Sequence, residues 1–184
     1  MPFLARWRAE RDLQRKAVAY VARLMDEPRP EDVAWLAEVA TGGDEDHARW
    51  ELRYARRAIG QVVAEKDALD DRTASLVARA LGEALERDPA VSVDTLAIAQ
   101  QQFNARLSAY RDVLSSRAPA PAVDRLAQML LAFSGGPIGL KGAEVQQGGS
   151  LFARCLADAN DALRASFGGA ELPEDVKPSS LGSR

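Results

Sequence analysis

The sequence is poor in the side chains that build most reactive sites. It contains one cysteine and one histidine among 184 residues. A single cysteine excludes a disulfide within the chain and a zinc site built from the cysteines of one chain. A single histidine excludes the two-histidine di-metal site of helical bundles within one subunit. One cysteine without a disulfide is typical of a reducing compartment, so we expect a cytoplasmic protein.

Long hydrophobic runs are also missing. No stretch approaches the roughly 18 apolar residues that a membrane span needs, and the N-terminus lacks the apolar segment of a signal peptide. The formal net charge is −3, so no overall positive field favours nucleic acid. We therefore expect neither a membrane span nor a nucleic-acid partner.

The abundant residues favour helices. Hydrophobic residues make up 47% of the chain, mostly Ala, Leu and Val, and Arg and Glu add further helix-forming character. Apolar residues recur at every third or fourth position in successive segments. The sequence therefore predicts an all-α protein, a single-domain bundle of about six or seven helices over residues 1–169. Residues 170–184 form a tail whose composition is typical of a flexible segment, with docking to a partner through Leu181 as the alternative.

The helix boundaries follow from prolines, glycines and acidic caps. The predicted helices run over residues 4–27, 33–40, 44 to a corner at 67–71, 71–86, 93–117, 123–133 and 151–167. The glycine-rich stretch 135–150 is predicted to be a structureless loop, which in a compact domain is often functional or mobile. Its composition resembles a phosphate cradle, but it lacks the P-loop spacing, so we expect a flexible connection.

The acidic corner between the third and fourth predicted helices is the first candidate site. Carboxylates three or four residues apart can share a helix face and hold Mg²⁺ together with a substrate phosphate. A second, smaller acidic pair lies near the end of the fourth helix. The alternative is a helix cap with a solvated corner. The candidate metal ligands are Asp67, Asp70, Asp71, Glu83 and Glu86.

An arginine stripe on the third predicted helix is the second candidate. Guanidinium groups match the geometry of phosphates and carboxylates, so this stripe could bind an anion. The alternative is a set of ion pairs with acids of neighbouring helices. The stripe consists of Arg49, Arg53, Arg56 and Arg57. On the same helix Trp50 and Tyr54 are four residues apart and could line a small-ligand pocket with the sixth helix.

The two scarce reactive residues are expected to be structural. His47 follows Asp44 by three residues and precedes Glu51 by four, so nearby acids on one helix face can stabilise it. Cys155 lies on the apolar face of the last predicted helix, where we expect a buried small side chain rather than a nucleophile. The G-x-S-x-G pattern of serine hydrolases does not occur.

The fifth predicted helix carries a narrow apolar seam with coiled-coil spacing. We expect it to pack inside the bundle, with a dimer interface as the alternative. The candidate interface residues are Leu96, Phe103, Leu107, Tyr110 and Leu114, together with Leu181 of the tail.

No complete catalytic constellation is present in the sequence. We therefore favour a non-catalytic interaction protein, an adaptor or assembly subunit, that binds a protein partner or itself and needs no cofactor. The alternative is a magnesium-dependent helical enzyme that acts on a phosphorylated small molecule.

Overall fold

The structure is a computed structural model that describes residues 2–67, 71–137 and 142–168, with side chains from Arg6 onward. Asp70, the central part of the glycine-rich stretch and the tail with Leu181 lie outside the described residues. Within these ranges the chain forms only helices, which confirms the predicted all-α bundle. They are α1 (Pro2–Leu24), α2 (Pro30–Val39), α3 (Glu45–Asp67), α4 (Asp71–Glu86), a 3-10 turn (Val93–Thr95), α5 (Leu96–Ser115), α6 (Ala122–Phe133) and α7 (Ala143–Phe167).

Local chemistry sets the ends of the early helices. Pro30 begins α2, where its fixed φ and missing N–H suit the first turn. Gly42 and Gly43, with φ of 66° and 91°, let the chain leave α2 in a conformation that other residues avoid. The Asp44 carboxylate then accepts a hydrogen bond from the His47 N–H at 2.9 Å and caps α3.

Helix α3 is the central column of the bundle. It packs against all six other α-helices, and its buried residues cover every side of the helix from Arg57 to Ala64. Small residues at several of these positions allow the surrounding helices to approach closely. A helix that is buried all round must be matched by its neighbours on every side.

The outer helices surround α3 in a definite order. Packing runs from α4 to α1, from α1 to α7, from α7 to α6 and from α6 to α5. Helices α4 and α5 are the two ends of this series. Both pack on α3, and a groove lies between them.

The predicted loop over residues 135–150 is wrong in its second half, because α7 already begins at Ala143. Gly148 and Gly149, which fall within the predicted loop, are buried in this helix. A Cβ added to Gly148 would lie 2.7 Å from the Ala127 Cβ, and one added to Gly149 would lie 2.8 Å from Asp124 Oδ1. These glycines therefore permit the close packing of α7 on α6, rather than breaking the helix.

Two glycine-to-alanine substitutions should have opposite effects on stability. Gly148→Ala should lower the free energy of unfolding by about 1–3 kcal/mol, because its methyl group overlaps a neighbour that cannot rotate away. Gly82→Ala should raise it by about 0.5–1 kcal/mol, because alanine is the better helix former. Nothing lies within 4 Å of a Cβ at Gly82.

Urea denaturation followed by circular dichroism measures both effects. Gly82→Ala serves as the matched control for the intrinsic helix preference. A Gly148→Ala protein as stable as the wild type would show that α6 and α7 do not depend on this close approach.

Candidate functional site

A buried ion pair joins the central helix to α5. Arg106 Nε and Nη2 donate to the two carboxylate oxygens of Glu51 at 3.0 and 2.6 Å. Glu51 is 3% exposed and Arg106 is 7% exposed. The guanidinium also lies 4.4 Å from the centre of the Phe133 ring. This bidentate pair fixes the position of α5 along α3.

His47 lies at the solvent side of this pair. Its Nε2 atom is 3.6 Å from Glu51 Oε1, and its side chain is 43% exposed. The predicted contact between His47 and Glu51 is therefore present, but Arg106 is the closer partner of the carboxylate. Glu51 and Arg106 are separated by 55 residues, so helix periodicity carries no signal for their contact.

A second buried ion pair anchors the segment that links α4 to α5. Arg57 Nη2 donates to Asp88 Oδ2 at 2.8 Å, and Asp88 Oδ1 accepts the Ala90 N–H at 3.0 Å. Burial lowers the pKa of Arg57, and the hydrogen bond to Asp88 opposes this shift. Further along α3, Glu65 accepts two hydrogen bonds from Arg111 at 2.9 and 2.7 Å. The α5 wall of the groove and the segment that follows α4 are thus tied to the central helix.

The predicted anion-binding arginines all have carboxylate partners within the chain. The partners of Arg49 lie within α3, and those of the other three lie in the segments that follow α1 and α4 rather than in the neighbouring helices. Pairing leaves these cations less available to an external phosphate, because each guanidinium already has a neighbouring negative charge. The pairs are Arg49 with Glu45 and Asp46, Arg53 with Glu27, Arg56 with Asp26, and Arg57 with Asp88.

The predicted magnesium ligands lie at opposite ends of α4. Asp71 begins this continuous helix, and Glu83 is twelve residues further on, which places the two about 18 Å apart along the axis. One ion cannot bind both, because Mg²⁺–oxygen distances are about 2.1 Å. Glu83 instead pairs with Arg79 and Arg87 at 3.1 and 3.6 Å.

The remaining metal candidates do not complete a site either. Asp67 ends α3, Glu86 ends α4, and Asp70 lies outside the described residues. Among the residues that the structure describes, no three metal-ligating side chains form a cluster that could hold an ion. A magnesium site at the corner stays a prediction for the segment around Asp70.

The aromatic pair on α3 contacts cations. The rings of Trp50 and Tyr54 have centroids 5.6 Å apart. The Arg53 guanidinium lies 4.7 Å from the Trp50 ring, and that of Arg106 lies 5.6 Å from the Tyr54 ring. Both rings therefore take part in the ionic contacts of α3 with its neighbours.

The predicted seam of α5 packs mainly inside the chain. Tyr110 is fully buried, with edge contacts to Phe133 and Phe152 at centroid distances of 6.1 and 5.4 Å. Phe103 and Leu107 are buried as well. Leu96 and Leu114, at the ends of the seam, are half-buried.

The groove between α4 and α5 opens to the surface and has a volume of about 250 Å³. Its floor includes Gln61 of α3, whose amide donates to Glu65 Oε1 at 3.1 Å. Gly82 widens the α4 wall, because it has no side chain and its Cβ position is open. The walls are Ala78, Leu81, Gly82 and Leu85 of α4 and Gln100, Phe103, Asn104 and Leu107 of α5. Such a surface suits the apolar face of a helix.

A larger cleft of about 610 Å³ lies between α1, α3 and α7. Cys155 is half-buried in its wall rather than enclosed in the core as predicted. Burial raises the pKa of the thiol to about 11; the charge of Arg56 opposes this shift, and that of Asp158 adds to it. The thiol is therefore protonated at neutral pH and is a poor nucleophile, in agreement with its predicted structural role.

Comparisons with known protein families, characterised proteins and solved structures found no match to this chain. None of the helices in the described ranges is long and apolar enough to cross a membrane.

The two charges of the Glu51–Arg106 pair should be strongly coupled. Glu51→Leu or Arg106→Met alone should cost about 3–5 kcal/mol of unfolding free energy, because each leaves an unpaired buried charge. The double variant Glu51→Leu/Arg106→Met should lose much less unfolding free energy than the sum of the losses of the two single variants. Urea denaturation of all four proteins gives the coupling energy.

The exposed pair of Arg79 and Glu83 is the control for this double-mutant cycle. Its coupling should be below about 1 kcal/mol, because water screens the two charges. Equal coupling at both pairs would contradict the ionic anchoring of α5.

Cys155 should react slowly with iodoacetamide at neutral pH. The rate should rise about tenfold per pH unit up to about pH 10 without levelling, because only the thiolate reacts and the pKa is about 11. Mass spectrometry follows the reaction, since this is the only cysteine of the chain.

The same chain unfolded in urea is the control, and its rate should level off above an ordinary thiol pKa of about 8.5. Circular dichroism at each pH checks that the native protein stays folded. A plateau near pH 8.5 in the folded protein would show that burial does not raise the thiol pKa.

Proposed function

We propose that this protein is a non-catalytic helical interaction protein, an adaptor or assembly subunit of the cytoplasm. It binds a helix of a protein partner in the groove between α4 and α5. The observation that carries this proposal is the groove itself, where two helices pack on α3 and leave between them a gap lined by apolar residues and three amides.

The dimensions of the groove match a short amphipathic helix. Its α4 wall extends from Ala78 to Leu85, which corresponds to about 10 Å or two helical turns. A partner helix with apolar residues at i, i+3 or i+4, and i+7 presents two turns of one face. Such a face can lie over Gly82 on one wall and Asn104 on the other, above the buried Leu81 and Phe103.

Three amides give the groove a means of selecting its partner. Gln61, Gln100 and Asn104 line it beside the apolar residues. A fully apolar partner would remove water from these amides without replacing their hydrogen bonds, which costs free energy. We therefore expect the partner helix to carry at least one hydroxyl or amide among its apolar contact residues.

The groove is held open before a partner arrives. The Glu51–Arg106 pair holds the α5 wall, and the Arg57–Asp88 pair holds the segment that follows α4. A preformed groove needs little ordering on binding, so more of the contact energy appears as affinity.

The charge distribution supports a protein partner rather than nucleic acid. The net charge is −3, and the arginines of α3 are paired within the chain. The magnesium-dependent alternative has less support, because Asp71 and Glu83 cannot share an ion. No described group of residues assembles the phosphate and metal contacts that this enzyme would need.

Photo-crosslinking tests the groove at single-residue resolution. Benzoylphenylalanine in place of Asn104, in the groove, should give a covalent adduct of defined mass in the cells that make the protein. The same group at the exposed neighbour Ala105 points about 100° away around the helix and should not. Gly82→Phe, which fills the groove, should remove the adduct, whereas Gly82→Ala should keep it.

Light scattering distinguishes the two kinds of partner. An adduct of twice the subunit mass, together with a dimer in solution, identifies a second copy of this chain. A heterologous adduct with a monomer in solution identifies a different protein. Equal adducts from positions 104 and 105, or an adduct that persists in Gly82→Phe, would overturn the proposal.

A further inference from the structure

The first half of α1 carries a local excess of positive charge. Residues 6–16 hold five basic and two acidic side chains, a net charge of +3 within a chain whose net charge is −3. All other residues together therefore carry a net charge of −6. Such a separation of charge gives the molecule one basic region that attracts anions, although the chain as a whole is acidic.

The cations of this region project from one side of the helix. Arg8, Arg11 and Arg15 are exposed, and their spacing of three and four residues aligns them in one stripe, the outer stripe. The buried face of α1 lies on the opposite side of the helix. It contains Ala17, Tyr20, Val21 and Leu24. The outer stripe therefore faces solvent rather than the neighbouring helices.

The two acids of the region are taken up by ion pairs. Glu10 pairs with Arg72 of α4. Asp12 Oδ1 lies 3.1 Å from Arg15 Nη2, and Asp12 Oδ2 lies 3.2 Å from Lys16 Nζ. The group of Asp12, Arg15 and Lys16 thus keeps a net positive charge, and neither acid neutralises the remaining arginines.

Arg8 and Arg11 retain their full charge. Neither of them pairs with an acid among the residues that the structure describes. The Arg11 guanidinium lies 4.5 Å from the centre of the Trp7 ring, a cation–π contact that leaves the positive charge in place. Asp67 and Asp71 belong to α3 and α4, which pack on the other side of α1. An external anion therefore meets the two arginines first.

Apolar side chains accompany the outer stripe at both ends. Trp7 is 49% exposed and Val18 is 59% exposed. They are eleven residues apart, about 16 Å along the axis, so the basic surface between them is three turns long. Tryptophan is enriched where lipid headgroups meet water, because its ring is apolar while its N–H stays hydrated. The combination of exposed arginines with an exposed indole is typical of a surface that lies on a bilayer.

We propose that the outer stripe, together with Trp7 and Val18, binds the surface of a membrane that contains anionic lipids. Each arginine near an anionic leaflet raises the binding constant about fivefold. Arg8, Arg11 and the net charge of the Asp12 group together raise it about 100-fold. The half-exposed indole favours lipid over an acidic protein segment, since its preferred surroundings are the headgroups.

This inference is independent of the groove between α4 and α5. Leu76 and Ala80 of α4 line a hollow against α1, whereas Ala78 and Gly82 line the groove. Residues two apart on a helix lie about 200° from each other around the axis. Helix α4 thus separates the two surfaces, and a bound membrane leaves the groove free.

Co-sedimentation of the full chain with lipid vesicles tests the inference. Vesicles of phosphatidylcholine with about 30% phosphatidylserine should bind the protein about 100-fold more tightly than vesicles of phosphatidylcholine alone. Raising the salt concentration from about 50 to about 500 mM should release the protein, because exposed charges are screened.

Two double variants with the same change of charge locate the contact. Arg8→Gln/Arg11→Gln should weaken binding to the anionic vesicles about 25-fold, because two contributions of about fivefold are lost. Arg29→Gln/Arg117→Gln removes two exposed arginines from the segments that follow α1 and α5, and should weaken binding less than about twofold. Circular dichroism verifies that both variants keep the helix content of the wild type.

Quenching by brominated lipids reports the orientation of the bound protein. Anionic vesicles with brominated acyl chains should quench the tryptophan fluorescence of the full chain, because the indole of Trp7 enters the headgroup region. Trp7→Phe should lose most of this quenching. Trp35 is buried and Trp50 is half-buried, so both indoles stay within the protein.

Equal binding to neutral and anionic vesicles, or an equal loss in the two double variants, would overturn the inference. A protein that binds poly-glutamate but no vesicles would overturn it as well, because the outer stripe would then serve an acidic protein partner. Crosslinking from position 104 should be unchanged in Arg8→Gln/Arg11→Gln. Failure of the crosslink alone would contradict the proposed function, and failure of vesicle binding alone would contradict this inference.

Discussion

The structure depends on buried charges in the middle of its central helix. Glu51 and Arg57 lie on α3, where each is at most 3% exposed. An unpaired charge at such a position destabilises the fold by several kcal/mol, so each requires a partner from another element. Arg106 of α5 and Asp88 after α4 meet this requirement. The positions of α5 and of the segment after α4 therefore follow from the ionic requirements of the central helix.

Anchoring to α3 explains how a groove can persist in a well-packed bundle. Two helices that stabilise each other directly must touch, and no groove remains between them. Here the Glu51–Arg106 pair fixes the α5 wall to α3, and the Arg57–Asp88 pair fixes the segment that follows the α4 wall. Leu81 and Phe103 of the two walls belong to the same buried core. The groove can stay open without loss of order in its walls, which is the property that a binding surface needs.

Local patterns predicted the helices well, because the spacing of apolar residues reports directly which side of a helix is buried. Contacts between distant residues could not be predicted in this way. Glu51 and Arg106 are 55 residues apart, and nothing in their immediate neighbours distinguishes a buried pair from two solvated charges. The distance between Asp71 and Glu83 could not be judged for a related reason, since spacing within a turn says nothing about convergence over the length of α4. A single sequence therefore identifies the helices but not the surfaces where they meet.

Two helical glycines show why composition alone does not predict the structural role of a residue. Gly148 in α7 has a neighbour 2.7 Å from its Cβ position, whereas Gly82 in α4 has none within 4 Å. The first glycine closes the interface between two helices, and the second leaves room beside a helix. Both lie within regular helices, where glycine costs about 0.5–1 kcal/mol relative to alanine. At Gly148 the tight packing of α6 and α7 offsets that cost within the fold. At Gly82 none of the described residues makes such a contact, and the space that this glycine leaves is part of the groove between α4 and α5.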